Sequence, residues 1–244
     1  MTLIKTTREI ELLQAGGRIA RKAIDEAVSL ARAGMTTLEL NAVAEQSIAA
    51  AGATPSFKGY EGFGFATCIN VNAGIVHGIP SNYRLRRGDI VSVDLGVLYQ
   101  GLHTDVSESF ELETHAQEQF LQVGRDALAG AIAQCVLGNK VGDISSAIQA
   151  TVERAGYSVS RDLAGHGVGR QLHEDPYVEC FGRPGKGRQI VEGMTLALEV
   201  IYQQGRPELS LAKDGWTLVT KDGSLSGLFE KSVAVTRQGV LVLT

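Results

Sequence analysis

Two aspartates lie eleven positions apart within the stretch from Gly88 to Phe110, GDIVSVDLGVLYQGLHTDVSESF, and their surroundings decide what chemistry they could do. Val91, Val93, Leu95 and Val97 alternate with Ser92, Asp94 and Gly96, the period of a strand with one buried face. After Tyr99, Gln100 and Gly101 the chain resumes as a second strand through Leu102, Val106 and Phe110, so the stretch reads as a hairpin. With an even-numbered loop, an even position faces an odd one across the ladder. Asp94 and Asp105 then project from the same face as direct or diagonal neighbours. Adjacent carboxylates repel, and one takes up a proton unless a cation stands between them. A divalent metal, single or paired, answers that need. On these residues alone two solvated aspartates at a hairpin end is the plainer reading; the rest of the chain reverses it.

A site for two metals also needs further bridging carboxylates and a neutral nitrogen ligand. Glu199 stands midway along the apolar stretch MTLALEVIY, and Glu230 within LFEKSVAVT. An acid inside an apolar strand is costly to bury without a partner, so both ask for a cation unless they sit at an edge and reach outward. His166 lies in AGHGVG, where flanking glycines let backbone or ligand come close; the alternative is a turn residue with its ring in solvent.

The elements that must position these groups follow from capping signals and periodicity. Thr6 with Glu9 and Thr36 with Glu39 are capping-box pairs. The first opens a helix through Ile10, Leu13, Ile19, Ile24 and Val28 to Gly34; the second opens one through Leu40, Val43 and Ile48 to Gly52. Thr54-Pro55 breaks the chain. A strand-like segment from Phe65 to Val71 and a turn-rich HGIPSN precede the hairpin. From about Glu113 the pattern restarts, with a helix through Phe120, Val123, Leu128 and Ile132 to Gly138 and another from Asp143 through Ile144, Ile148 and Val152 to Gly156.

The spacing Gly34 to Gly52 recurs as Gly138 to Gly156, 104 positions later, and HGIP at His77 has a counterpart in HEDP at His173. Asp94 corresponds to a position beside Glu199. The second half carries an extra glycine-rich loop, FGRPGKG, at Phe181 to Gly187. This pattern predicts an internal duplication, with halves of about 1–110 and 111–244 forming one domain with a cleft between them.

Composition narrows the function classes. With 244 residues, 44% hydrophobic and 20% charged, the chain buries a substantial core. A net charge of -4 gives no electrostatic drive toward nucleic acid or anionic membranes. The segment MTLIKTTREIEL lacks an apolar core of a signal peptide, and no run reaches the ~18 apolar residues of a membrane span. The three cysteines, Cys68, Cys135 and Cys180, show no CxxC spacing, which disfavours a disulfide framework and points to a reducing cytoplasm.

The chain resembles the methionine aminopeptidases of the pita-bread metallopeptidase superfamily over nearly its whole length. The text that carries the resemblance is HGIP at His77, GDIVSVDLG around Asp94, GLHTD ending at Asp105 and AGHGVGRQLHEDPYV from Ala164. GMTLALE ending at Glu199, FEKSVAVT from Phe229 and the closing GVLVLT complete it. The resemblance implies an α/β pita-bread fold: a curved antiparallel sheet with outer helices and an internal pseudo-two-fold. It implies two divalent ions (Co, Mn, Fe or Zn) on Asp94, Asp105, His166, Glu199 and Glu230, with Asp105 and Glu230 bridging. Glu199 would also carry a proton, His173 would contact the scissile carbonyl oxygen, and His77 the backbone nitrogen on the leaving side.

The matching positions for a methionine pocket are Tyr60, Phe63, Cys68, Leu172 and Trp216, each of which would serve equally as ordinary core. The implied substrates are N-termini of peptides and nascent proteins, with the ribosome a candidate partner and a monomer the expected state. The chain looks like the compact bacterial form. It departs from the usual pattern at Val200, Val106, the SGLFEKS stretch, Leu172 and Gly64, none of which removes a ligand. The rival readings are a proline-specific peptidase of the same superfamily and a non-catalytic peptide-binding relative.

Overall fold

The computed structural model describes residues 4–244. Both expected capping boxes are formed. Thr6 accepts from the Glu9 amide while the Glu9 carboxylate takes the Thr6 amide at 2.7 Å, opening α1 (Thr7–Leu30). Thr36 and Glu39 do the same for α2 (Thr37–Ala50). Helix α1 stops short of the expected Gly34. Ala31 is already extended, and the Gly34 amide turns away to the Leu85 carbonyl at 2.7 Å.

Next come β1 (Thr54–Pro55), a single 3₁₀ turn at Tyr60–Gly62, β2 (Thr67–Val71) and β3 (Gly74–Val76). The predicted hairpin is β4 (Ile90–Tyr99) and β5 (Leu102–Glu111). Its loop is Gln100-Gly101 alone, with φ of +51° and +80°, the left-handed pair that a type I′ turn requires.

The second half repeats the plan with α3 (Glu118–Gln134) and α4 (Val141–Arg154). Asp143 is not the cap of α4 but lies in its first turn, where its carboxylate accepts the Lys140 amide at 2.7 Å. Strands β6 (Ser158–Val159), β7 (Ala164–Gly167), β8 (Glu174–Glu179) and β9 (Thr195–Gln203) follow. The chain closes with β10 (Leu209–Leu211), β11 (Leu218–Thr220), β12 (Ser226–Thr236) and β13 (Gly239–Val242).

The main sheet runs β1-β4-β5-β12-β9-β7-β8, with β2 also on β4, β6 on β9 and β13 on β12. Its pairings are antiparallel, and β3, β11 and β10 form a small second sheet. The duplication is visible in this order. Short β1 lies on β4 as short β6 lies on β9, and the inner strands β5 and β12 meet at the centre.

One face of the sheet is apolar and covered by helices. Val91, Val93, Leu95 and Val97 pack with Ile24, Leu40 and Ile48 of α1 and α2. Leu196, Leu198 and Val200 pack with Phe120, Ile144 and Ile148 of α3 and α4. Each such buried side chain contributes about 1.5–3 kcal/mol from desolvation, so this face fixes the register of the other. Among the described residues no helix is long and apolar enough to cross a membrane.

Candidate metal centre and active site

On the uncovered face the register arranges the acids in two rows. Cys68 pairs with Asp94, Asp94 with Ser107, Ser107 with Glu230, and Glu230 with Glu199. One pleat further, Gly96 pairs with Asp105, and Ala197 with both Ser232 and His166. Residues paired across an antiparallel ladder share a face. Four carboxylates from four strands are thus brought beside one imidazole. Asp94 and Asp105 are the diagonal neighbours expected of the hairpin.

Ligand atoms of Asp105, His166 and Glu230 all lie within 4.8 Å of one another, and His166 Nε2 is 3.5 Å from Glu199 Oε1. The His166 Nδ1–H donates to the Gly167 carbonyl at 2.9 Å. A carbonyl only accepts, so the ring proton sits on Nδ1 and the Nε2 lone pair faces the acids. The glycines beside His166 do what their type suggested. A Cβ at Gly165 would stand 2.4 Å from the Ala197 carbonyl oxygen, and one at Gly167 equally close to that of Asp175. Strand β7 can approach its neighbours only without those side chains.

Electrostatics set this cluster apart. Burial, reinforced by the surrounding carboxylates, pushes Asp94, Glu199 and Glu230 well above the usual carboxylate range. Burial likewise raises Asp105 to about 7. His166 is lowered to about 4, first by burial and then by nearby His173. Asp94 Oδ1 and Glu230 Oε1 are buried without a hydrogen-bond partner. Orphaned carboxylate oxygens facing an unprotonated imidazole nitrogen suit divalent cations of the oxygen- and nitrogen-loving kind. The residues fit such ions.

The acids form the floor of a cavity of about 150 Å³. Phe63, Cys68, Leu172 and Trp216 form its apolar wall, with Phe63 and Trp216 in edge-to-face contact at 5.3 Å between centroids. Burial, with the neighbouring Asp94 and Asp105, raises the Cys68 thiol well above its usual value, and the residue packs into the apolar wall. His77, with a left-handed φ of +57°, and His173 stand at the open side. Desolvation by the cleft lowers both histidines below their usual value, so they are neutral at neutral pH. His173 lies 4.4 Å from the His166 ring, and its Nδ1 is 3.0 Å from the hydroxyl of Tyr60. All twelve candidate residues line this one cavity.

Sequence reading missed three contributors. Phe57 joins the apolar wall. Its signal was Gly96, on the same strand face as Asp94: a Cβ there would stand 2.9 Å from the Phe57 ring. Ser232 is the second. It accepts the Asp105 amide at 2.8 Å and donates to the Asp105 carbonyl at 2.9 Å, bridging β5 and β12. Glu61, with φ +48°, lines the mouth and carried no pattern that distinguished it. Val106 and Val200, two departures from the usual pattern, alternate away from the cavity and are buried under the helices. Of the single-residue departures, Leu172 alone lines the cavity.

Comparison with known proteins gives this geometry its context. The model of metallopeptidase family M24 matches residues 11–237. The methionine aminopeptidase of Clostridium perfringens is 41% identical over 246 aligned positions, covering 100% of this chain and 99% of that protein. The crystal structure of methionine aminopeptidase from Thermotoga maritima has a TM-score of 0.97 and 39% identity, covering 100% of this chain and 99% of its own. Prolidase from Pyrococcus furiosus, at 24% identity, shares the fold, with a TM-score of 0.81 over 100% of this chain and 65% of its own. The duplicated antiparallel sheet with outer helices is therefore the expected pita-bread fold, and the chain belongs to metallopeptidase family M24.

Proposed function

We propose that this protein hydrolyses the first peptide bond of chains that begin with methionine. The observation that carries the reading is one cavity whose floor is a carboxylate–imidazole nest and whose wall is apolar and aromatic. Asp94, Asp105, His166, Glu199 and Glu230 would hold two divalent ions. Manganese, iron, cobalt and zinc all suit this donor set. Such ions, when bound, lower the pKa of a coordinated water toward neutrality and polarise a carbonyl.

The protein's own groups do the rest. Glu199, 15% exposed toward the cavity, accepts the proton of the attacking water and passes it to the leaving amine. With the Tyr60 phenol donating to Nδ1, His173 keeps its proton on Nε2 and offers it to the scissile carbonyl oxygen as charge develops there. His77 contacts the backbone nitrogen on the leaving side. The acid nest favours a free amino terminus. Phe63, Cys68, Leu172 and Trp216 receive the unbranched thioether, with which aromatic faces make favourable contacts.

The sheet that carries these residues runs through both halves, which supports treating the chain as one catalytic domain. In this reading the substrates include nascent proteins leaving the ribosome, met in the cytoplasm by a monomeric enzyme whose three cysteines are free and buried.

The discriminating experiment compares Met-Ala-Ser, Ala-Pro-Ser and N-acetyl-Met-Ala-Ser with the metal-loaded protein. Release from the first peptide alone is expected. Comparable cleavage of Ala-Pro-Ser would contradict methionine selection and favour a proline-specific peptidase.

A further inference from the structure

A buried ion pair lies just behind the cavity and outside its lining. The Lys5 ammonium meets the Glu174 carboxylate, with side-chain exposures of 0% and 1%. The other carboxylate oxygen, Oε1, accepts the Gln171 amide at 3.0 Å, closing the loop Gln171–Glu174 from inside. That loop presents Leu172 to the pocket wall and His173 to its open side.

The N-terminal segment is held at further points around that loop. Lys5 is anchored through its own amide to the Gly193 carbonyl at 2.8 Å. The Lys5 stem runs against Gly169, where a Cβ would stand 2.3 Å from Lys5 Cε. Arg170 forks onto the Glu9 carboxylate at 2.7 and 2.8 Å and also donates to the Ile4 carbonyl at 3.2 Å.

A buried ion pair is a poor device for stability alone, since desolvation of each charge costs several kcal/mol and apolar replacements often do as well. What such a pair provides is a fixed geometry: a charged hydrogen bond at each end leaves the loop one position. We propose that Lys5 and Glu174 act as positioning residues for His173, so that the N-terminal segment sets the placement of the imidazole that faces the carbonyl oxygen. This rests on the role given to His173 above. Displacing such a group by about 1 Å costs on the order of 10²-fold in rate.

The test uses the full-length protein with Lys5→Met, and Glu174→Gln as the variant that keeps shape and the Gln171 contact. In the zinc-loaded protein labelled with [¹³Cε1]histidine, His173 should give one sharp ring signal. That signal should broaden or double in both variants while the His77 signal stays in place. A His173 signal unchanged in both folded variants overturns the proposal, whether or not the protein releases methionine. Kinetics provide the second readout. With Met-Ala-Ser, kcat should fall about 10- to 100-fold in Lys5→Met and less in Glu174→Gln. In a His173→Ala background the added Lys5→Met should change kcat by less than about threefold, because both act through one group. Multiplying losses would overturn the assignment. An inactive wild type would sink the peptidase reading alone, leaving the ring signals to decide this one.

Discussion

In the first half of the sheet, β4 and β5 meet through a two-residue turn; in the second, β9 and β12 enclose an excursion that carries β10, β11 and Trp216. The acids nevertheless hold equivalent places. Asp94 and Glu199 lie on the outer strand of each pair, and Asp105 and Glu230 on the inner strands that meet at the centre. What surrounds them differs. Both halves feed the apolar wall, the first through Phe57, Phe63 and Cys68 and the second through Leu172 and Trp216, and each places one histidine at the open side, His77 and His173. The two copies keep one electrostatic pattern, and the unmatched group is His166, the imidazole that the second half alone sets beside the acids.

The sharpest way to break this comparison is at the equivalent inner acids. Asp105→Asn and Glu230→Gln should each lower kcat/KM for Met-Ala-Ser by about 10³-fold or more and reduce bound metal by elemental analysis. If one variant kept near wild-type activity, the two positions would not be equivalent.

The acid nest also predicts how the metal-free protein responds to pH. Asp105 has a folded pKa raised from 3.8 to about 7, so between those values the folded state holds a proton that the unfolded state has lost. Stability therefore falls as pH rises through that window. His166, lowered from 6.5 to about 4, works the other way below 6.5 and is neutral in both states above it. Asp94, Glu199 and Glu230, raised well above the usual range, act in the same direction as Asp105, so thermal unfolding of the chelated protein should show Tm falling as pH rises above 6.5, restored by divalent metal. A Tm that rose over this range would contradict the crowded-carboxylate account.

The apolar wall is tested by Phe63→Ala, which should raise KM for Met-Ala-Ser about tenfold with kcat largely kept, as loss of side-chain burial common to ground and transition state. A selective fall in kcat would move Phe63 from recognition to the chemistry. The smallest effect on activity belongs to Val106→Thr, on the helix-covered face. It should lower stability by about 1–2 kcal/mol in denaturant unfolding, leaving methionine release within about twofold.

Much of this was legible in the sequence, and the reasons are local. The capping boxes at Thr6 and Thr36 are contiguous signals, and so is the alternation from Val91 to Val97 that fixes which face Asp94 takes. The hairpin turn sets the offset between Asp94 and Asp105 without reference to anything else in the fold. Glu199 and Glu230 could be suspected because an acid in an apolar strand needs an explanation. That they meet Asp94 and Asp105 across the central β5–β12 junction could not, because that pairing joins residues far apart in the chain. Ser232 was silent for the same reason: a serine in a strand says nothing until its hydroxyl is seen bridging Asp105. Lys5 and Glu174 look like surface charges in the text, and the chain's return past Gly169 and Gly193 is what buries them.

The most direct measurement of the central claim is release of methionine from Met-Ala-Ser by metal-stripped protein, before and after addition of manganese, iron(II) or cobalt, beside Asp94→Asn. The account predicts no release from the stripped protein, release on adding metal, and little or none in the variant under any metal. Folded wild-type protein that binds divalent ions yet releases no methionine with any of them would contradict it.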